Sequence, residues 1–283
     1  MLNTELHKYC FADGTESIDP EFKYTAVHHE TYGSQGFCIF ERFLSDEAVR
    51  QGRLHIDRMI RERAEGFSVV EMMSPHQLGE DWIWDIATHP KVLDLVERQI
   101  GPNIVLWHTD LLNKEPFTGY KIQWHQDQPY WNVSPPVANL WIPFDDVDSQ
   151  NGTMAVLPGW HNKGTLPLLK EEGKFFDLSI DPTSIPSNAD ELAVTYVMKA
   201  GQAATHNPMI PHYSAPNQSS RWRRVMTLHY MRAEGTQMGE RRYTDYRDRS
   251  AFDRLYYLVR GEDPSGRLPV RLGAKCSPEG AGE

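Results

Sequence analysis

Residues 121–131 read KIQWHQDQPYW, and the triplet His125-Gln126-Asp127 lies at the centre of this stretch. In an extended strand, successive side chains point to opposite faces of a sheet. His125 and Asp127 are therefore predicted to share one face, with Gln126 on the other. One imidazole and one carboxylate cannot by themselves hold a catalytic metal ion, so a further ligand must come from elsewhere in the chain.

The best candidate for that further ligand is His212, in the sequence IPHYSAPNQSSRWRR. Two histidines and one carboxylate on one face of an iron ion leave positions open for a co-substrate and oxygen, as in non-haem Fe(II) oxygenases. Arg223 follows 11 residues later and could clamp a carboxylate through two parallel hydrogen bonds. His206 competes with His212, and we interpret it as a residue packed beside the ligands or in the core.

Arg223 belongs to a group of three arginines, with Arg221 and Arg224, that precedes an apolar strand. Alternation puts Arg223 and Arg224 on opposite faces of that strand. Only one face can point into a barrel, and alternation alone does not decide which.

Working outward from the triplet, short strand-like segments separated by turn residues predict a mainly β fold. We expect a double-stranded β-helix, or jelly roll, with its core at about 104–232. Two flanking N-terminal helices, starting near Ser45 and Pro90, should cover a sheet. The spacing of Phe252, Leu255 and Val259 predicts a last helix. The predicted strands are 104–107, 121–127, 137–143, 154–157, 192–198, 202–206 and 225–230.

Length and composition favour one soluble domain over residues 1–283. The net charge of −10 disfavours nucleic acid or an acidic membrane surface as a partner, which leaves a small molecule. No apolar run approaches the roughly 20 residues of a membrane span. The N-terminal sequence has no apolar signal region, so a cytoplasmic location is expected. Three cysteines far apart in the sequence suggest free thiols, and the oligomeric state is left open.

Taken together, several segments resemble the phytanoyl-CoA dioxygenase family of Fe(II)/2-oxoglutarate oxygenases, from about Trp107 to Tyr230. The similar segments, in order, are HTDLLNKEP, WHQDQPYW, ANLWIPFDDVDSQNGTMAVLPGWHNKG and HYSAPNQSSRWRR. The resemblance implies that His125, Asp127 and His212 are the iron ligands. It further implies that Arg223, rather than Arg221 or Arg224, binds the distal carboxylate of 2-oxoglutarate.

The same resemblance implies co-substrate contacts at Trp141, Ser214 and Asp110. Asp110 departs from the family pattern, in which this position is often uncharged, and we also consider it a residue that lines the pocket. Trp160 replaces a commoner serine beside the mouth of the site. Aromatic residues are candidates for the substrate pocket, namely Trp107, Trp124, Tyr130, Trp131, Trp160 and Tyr213.

The implied activity is hydroxylation of a C–H bond of a small-molecule metabolite, with Fe(II), 2-oxoglutarate and O2, and with release of succinate and CO2. Asp127 occupies the position that related halogenases vacate for halide, which favours hydroxylation over halogenation. The alternatives are desaturation or ring formation by the same chemistry, a catalytically silent jelly-roll binding protein, and a zinc hydrolase. The polar segment 162–190 is predicted to be a lid over the site.

Overall fold

The computed structural model describes residues 9–70, 72–131, 133–134, 136–170, 177–234 and 239–270. Its helices are α1 (Ala26–Gln35), α2 (Asp46–Glu62), α3 (Asp81–Ala87), α4 (Pro90–Ile100) and α5 (Ala189–Leu192). The first strands are β1 (Phe37–Phe40), β2 (Met72–Met73), β3 (Ile104–Lys114), β4 (Ile122–His125), β5 (Val137–Pro143), β6 (Met154–Val156), β7 (Leu168–Lys170) and β8 (Leu178–Ile180). The later strands are β9 (Val194–Thr195), β10 (Ala203–His206), β11 (His212–Ser214), β12 (Arg223–Arg232), β13 (Arg242–Thr244), β14 (Ala251–Asp253) and β15 (Tyr257–Arg260).

Two antiparallel sheets form the body of the molecule. The larger has seven strands in the order β1-β10-β5-β12-β3-β15, with β2 added beside β3. The smaller has four strands in the order β4-β11-β6-β9. β12 pairs with β5 on one side and with β3 on the other. This arrangement confirms the predicted mainly β jelly roll with N-terminal helices.

The helices cover the outer face of the larger sheet. One core cluster joins Ile56 of α2 and Val92 of α4 to strand residues such as Leu228. A second cluster lies between the two sheets and joins Trp141 of β5 to Val156 of β6. The inner face of the larger sheet therefore packs against the smaller sheet, where the functional site lies.

The predicted helices α2 and α4 are both present, and each has a defined start. The Ser45 side chain accepts a hydrogen bond from the backbone of Ala48 at the start of α2. Pro90 occupies the first turn of α4, and Gly101 caps its end. Sequence patterns missed α1, which has no buried residue, and α3, which is buried on nearly all sides. Neither of these helices has the apolar stripe that marks an amphipathic helix.

The predicted last helix is wrong, because residues 251–253 and 257–260 form β14 and β15. β15 pairs with β3 at the edge of the larger sheet. Leu258 and Val259 are both buried, and they belong to different clusters on opposite faces of that sheet. A strand covered on both faces does not alternate apolar with polar residues, so its apolar spacing resembled that of a helix.

The segment 162–190 contains the β7–β8 pair and the start of α5. Its centre, residues 171–176, lies outside the described residues, so part of the predicted lid does too. The expectation of free thiols is wrong for Cys10, which is disulfide-bonded, because distance along the sequence does not limit distance in the fold. Cys38 is a free, buried thiol. Among the described residues, no helix has the length and apolar character needed to cross a membrane.

Candidate active site

His125, Asp127 and His212 lie together between the two sheets. His125 ends β4 and His212 begins β11, and the two residues are direct partners across this antiparallel pair. Asp127 Oδ1 lies 3.7 Å from His125 Nε2 and 3.4 Å from His212 Nε2. One ligand atom from each residue lies within 4.8 Å of the others, close enough for all three to contact one metal ion.

Asp127 reaches this position through a turn. The predicted strand 121–127 ends at His125, and Asp127 has helical backbone angles (φ −71°, ψ −40°) at the start of a 3-10 turn. The backbone N–H groups of Asp127 and Gln128 both donate to the carbonyl of Pro208, at 3.0 and 3.1 Å. The expectation that Asp127 continues the strand is therefore wrong, because these bonds to the loop before His212 fold the chain back.

Gln126 points away from His125 and Asp127, as predicted, and it ties three chain segments together. Its amide nitrogen donates to the carbonyls of Gly164 and Met209, at 2.9 and 2.6 Å. Its amide oxygen accepts from the backbone of Leu166 at 2.8 Å. The residue between the two candidate ligands thus anchors both the loop before His212 and the start of the 162–190 segment.

Backbone carbonyls fix the orientation of both imidazole rings. His125 Nδ1 lies 2.8 Å from the carbonyl of Gln123, and His212 Nδ1 lies 3.0 Å from the carbonyl of Ile210. Because a carbonyl only accepts, each Nδ1 carries a proton, which leaves Nε2, the ring nitrogen nearer Asp127, as the one that could bind a metal ion. Two imidazole nitrogens and one carboxylate oxygen suit iron as the resident metal.

His206 contacts the other oxygen of the Asp127 carboxylate. Its Nε2 lies 3.3 Å from Asp127 Oδ2, whereas Oδ1 faces His125 and His212. Burial would raise the pKa of Asp127, but His212 and His206 together lower it well below its usual value. Asp127 is therefore an ionised carboxylate, and His206 fixes the oxygen that is turned away from the other two candidate ligands.

A cavity of about 250 Å³ lies beside these three residues. Seven further residues singled out from the sequence line it, namely Asp110, Tyr130, Trp131, Trp141, Tyr213, Ser214 and Arg223. Three candidate pocket residues do not line it. Trp107 is buried behind Trp131, Trp124 donates its N–H to Asp190, and Trp160 lies in a 3-10 turn under the Lys163 ammonium.

Arg223 is the arginine of its group that faces the cavity. It is 2% exposed, and it donates to the carbonyls of Gly152 and Leu112 at 3.3 and 3.0 Å. By contrast, Arg224 pairs with Asp145 and Asp57, and Arg221 pairs with Asp148. The structure thus decides what strand alternation left open. Burial lowers the pKa of Arg223 to about 10, and none of its described partners is a carboxylate.

Lys114 is a second buried basic residue, next to Ser214 at this end of the cavity, and sequence reasoning missed it. Its Nζ donates to Ser214 Oγ at 2.9 Å and to the backbone carbonyls of Ser214 and Ala215. Burial, followed by the charge of Arg223, lowers the pKa of Lys114 to about 6. If the predicted strand were continued past Trp107, alternation would put Lys114 on the same face as Asp110. This pattern in the sequence could have identified Lys114.

Two antiparallel sheets enclosing a buried His-Asp-His cluster and a basic cavity end define the class of jelly-roll non-haem metal oxygenases. The chain belongs to the phytanoyl-CoA dioxygenase (PhyH) family, whose model matches residues 32–225. The expected family is thereby confirmed. The protein is accordingly an Fe(II)/2-oxoglutarate-dependent oxygenase.

Curated relatives agree with this assignment. The peroxisomal phytanoyl-CoA dioxygenase of Mus musculus is 26% identical over 248 residues, which are 76% of this chain and 72% of that protein. L-proline trans-4-hydroxylase of Streptomyces griseoviridis is 25% identical over 229 residues, 72% of this chain and 85% of that protein. A probable alpha-ketoglutarate-dependent hypophosphite dioxygenase of Stutzerimonas stutzeri is 32% identical over 185 residues, 61% of each chain.

Solved structures share the fold. The non-heme monooxygenase ThoJ superposes with a TM-score of 0.67 at 24% identity, covering 86% of this chain and 87% of that one. The alpha ketoglutarate-dependent carbocyclase SnoK gives a TM-score of 0.61 at 20% identity, covering 78% of this chain and 87% of that one. At these identities the likeness supports the jelly roll alone.

Proposed function

We propose that the protein hydroxylates a C–H bond of a small-molecule metabolite. In the balanced reaction, one oxygen atom of O2 enters the product alcohol and the other enters succinate, while 2-oxoglutarate loses CO2. The observation that carries this proposal is the convergence of His125 Nε2, His212 Nε2 and Asp127 Oδ1 beside a cavity that also contains Arg223.

His125, Asp127 and His212 would hold the iron ion. Iron bound there supplies the oxidising chemistry when 2-oxoglutarate and O2 are present. The protein contributes ligand geometry, since carbonyl acceptors fix both rings and His206 holds the carboxylate. The buried walls of the cavity exclude water from the reacting groups.

Arg223 would bind the distal carboxylate of 2-oxoglutarate through its guanidinium group. Ser214 and Trp141 line the same cavity and would complete this subsite, with Lys114 holding Ser214 Oγ in place. The end of the cavity therefore offers positive charge to a dianion that has to leave water. Asp110 lies four positions from Lys114 along β3, roughly 13 Å at the rise of an extended strand, so we assign it to the substrate side.

Relatives with small substrates support a metabolite as the substrate. The matched proteins include an L-proline trans-4-hydroxylase and an ectoine dioxygenase. Their names describe the oxidation of small molecules. A cavity of about 250 Å³ fits a compound of similar size together with the co-substrate.

The direct test is turnover of the metal-reconstituted protein. Wild-type protein with Fe(II), 2-oxoglutarate and O2 should form succinate, and the protein loaded with zinc should not. The variant Arg223→Ala should form little succinate at low 2-oxoglutarate concentration. Arg221→Ala removes the same charge from an exposed residue and should behave as wild type. Absence of succinate under every iron condition would favour a binding protein, and hydrolysis with zinc would favour a hydrolase.

A further inference from the structure

Four successive register pairs of β3 and β12 run along the cavity, and all of their members except Lys114 and Val225 line it. In register, these pairs are Lys114 with Arg223, Leu112 with Val225, Asp110 with Thr227, and His108 with His229. The first pair is basic, the second is apolar, and the third contains a carboxylate. Two imidazoles follow. The charge of the cavity wall thus changes from positive at the proposed 2-oxoglutarate subsite, which contains Arg223, to negative at Asp110.

Asp110 has one carboxylate oxygen in use and one without a partner. It is 6% exposed and lines the cavity. Its Oδ2 lies 2.8 Å from His108 Nε2, while the Ser74 hydroxyl lies 2.7 Å from His108 Nδ1. Its Oδ1 has no hydrogen-bond partner among the described residues. A buried carboxylate oxygen without a donor is costly, so a ligand that brings a donor to it gains affinity.

Arg254 provides the opposite charge in the same cavity. It is 6% exposed, and its Nε and Nη1 donate to the hydroxyls of Tyr243 and Tyr256 at 2.8 and 3.3 Å. Its guanidinium group packs 4.7 Å from the centre of the Trp107 ring. Its Nη2 has no partner in the described part of the chain, and its described partners include no carboxylate. This arginine lies beyond residues 32–225, the region that the family model matches.

Tyr243 shows that these two charges are close to each other. Its ring lies 5.0 Å from that of His108, which contacts Asp110, and its hydroxyl accepts from Arg254. Burial raises the pKa of Tyr243 to about 12, and the charges of Arg254 and Asp110 act on it with opposite signs. A single small ligand can therefore reach both groups.

We propose that the substrate is a small zwitterion whose protonated amine binds Asp110 and whose carboxylate binds Arg254. This inference rests on the proposed function and names the substrate class for the same site. Each buried charge belongs to a residue that lines the cavity and has an atom without a hydrogen-bond partner among the described residues, and a ligand with both charges can pair with the two residues together. Asp110 also repels 2-oxoglutarate from the substrate end, which keeps the co-substrate at Lys114 and Arg223.

The experiment compares four pools of compounds on the iron-loaded wild-type enzyme with 2-oxoglutarate. The pools contain amino acids, amines without a carboxylate, carboxylic acids without an amine, and neutral alcohols. Only the amino-acid pool should stimulate succinate formation above the substrate-free rate. The active compound is then retested without its amine and without its carboxylate, and each loss should lower stimulation roughly 100-fold, because a site built for a polar group discriminates against analogues that lack it.

Two pairs of variants test whether Asp110 and Arg254 bind the amine and the carboxylate of the substrate. The charge-removing changes Asp110→Asn and Arg254→Gln should each raise the apparent KM for the active amino acid roughly 100-fold. The matched controls are Asp94→Asn and Arg42→Gln, which remove the same charges from exposed residues that do not line the cavity. Water screens these surface charges, so the controls should stay within about twofold of wild type.

The proposal is overturned if another pool stimulates turnover, if no amino acid does, or if the surface control variants lose as much activity as the variants of Asp110 and Arg254. Substrate-free succinate formation, measured on wild type in parallel, separates this outcome from failure of the proposed function. Substrate-free turnover without any response to amino acids would contradict only the zwitterion. No turnover under any condition would contradict the oxygenase chemistry itself.

Discussion

Lys114 of β3 and Arg223 of β12 are direct register partners across the larger sheet. They are 1% and 2% exposed, and their described hydrogen-bond partners are all neutral oxygens. Charging both of these buried basic groups is unfavourable without a counter-charge, which a bound anion supplies. This relationship explains why a dicarboxylate co-substrate should bind at this end of the cavity.

Replacing Arg223 should selectively weaken co-substrate binding. We expect Arg223→Ala to reduce the affinity for 2-oxoglutarate by about 2 to 5 kcal/mol, because the partner carboxylate would be left buried without its charge-assisted contacts. Arg221→Ala should have little effect, since Arg221 pairs with Asp148 on the outside. Anaerobic titration of the Fe(II) protein with 2-oxoglutarate, followed by its visible absorption band, measures both. Equal weakening in the two variants would contradict the assignment.

Lys114 should make 2-oxoglutarate binding depend on pH. Burial and Arg223 lower its pKa to about 6, so Lys114 is neutral in the free protein at neutral pH. A bound dianion raises that pKa, and binding then takes up a proton. Affinity should be constant below the pKa of the free protein and should fall as pH rises above it, by at most about tenfold per pH unit.

Calorimetry in two buffers that differ in ionisation enthalpy measures this proton uptake. Wild-type protein should take up a fraction of a proton at neutral pH, and Lys114→Met should take up none. Identical proton uptake in the two proteins would show that a group other than Lys114 takes up the proton.

Gln126 should be important for stability although it does not face the cavity. Gln126→Met removes partners from the backbone groups of Gly164, Leu166 and Met209, of which Leu166 is buried and Met209 is partly buried. A buried group left unsatisfied costs about 1 to 3 kcal/mol. Urea unfolding of the metal-free protein should show the loss, whereas Gln218→Met on the exposed surface should not change the midpoint. An unchanged midpoint for Gln126→Met would show that these bonds are replaced by water.

The segment 162–190 should become protected from proteases when the site is filled. Its beginning is anchored to Gln126, and the backbone N–H of Leu178 donates to the Tyr130 hydroxyl at 3.0 Å. Tyr130 lines the cavity, so a bound substrate would stabilise this contact. Limited proteolysis should slow only with iron, 2-oxoglutarate and substrate together, and Tyr130→Phe should reduce that protection. Cleavage at one constant rate in all states would rule out a lid.

The sequence allowed prediction of features that depend on local chemistry. Helical spacing of apolar residues predicted α2 and α4, and the resemblance to the family implied His125, Asp127, His212 and Arg223. It did not allow prediction of features that depend on distant partners. The turn at Asp127 is fixed by Pro208, and β15 takes its form from β3. The role that we propose for Arg254 could not be predicted either, because only the fold brings this residue to the cavity that Asp110 lines. The single-domain organisation and the cytoplasmic location stay predictions.

The most direct test of the proposed metal site is an anaerobic titration of Fe(II) into protein saturated with 2-oxoglutarate. Wild-type protein should bind one Fe(II) per chain and develop the visible charge-transfer band. His212→Ala should do neither. His206→Phe should still develop the band, with iron affinity reduced roughly 10- to 100-fold, because His206 only orients the Asp127 carboxylate. A normal band in His212→Ala together with its loss in His206→Phe would contradict the assignment of His125, Asp127 and His212 as the iron ligands.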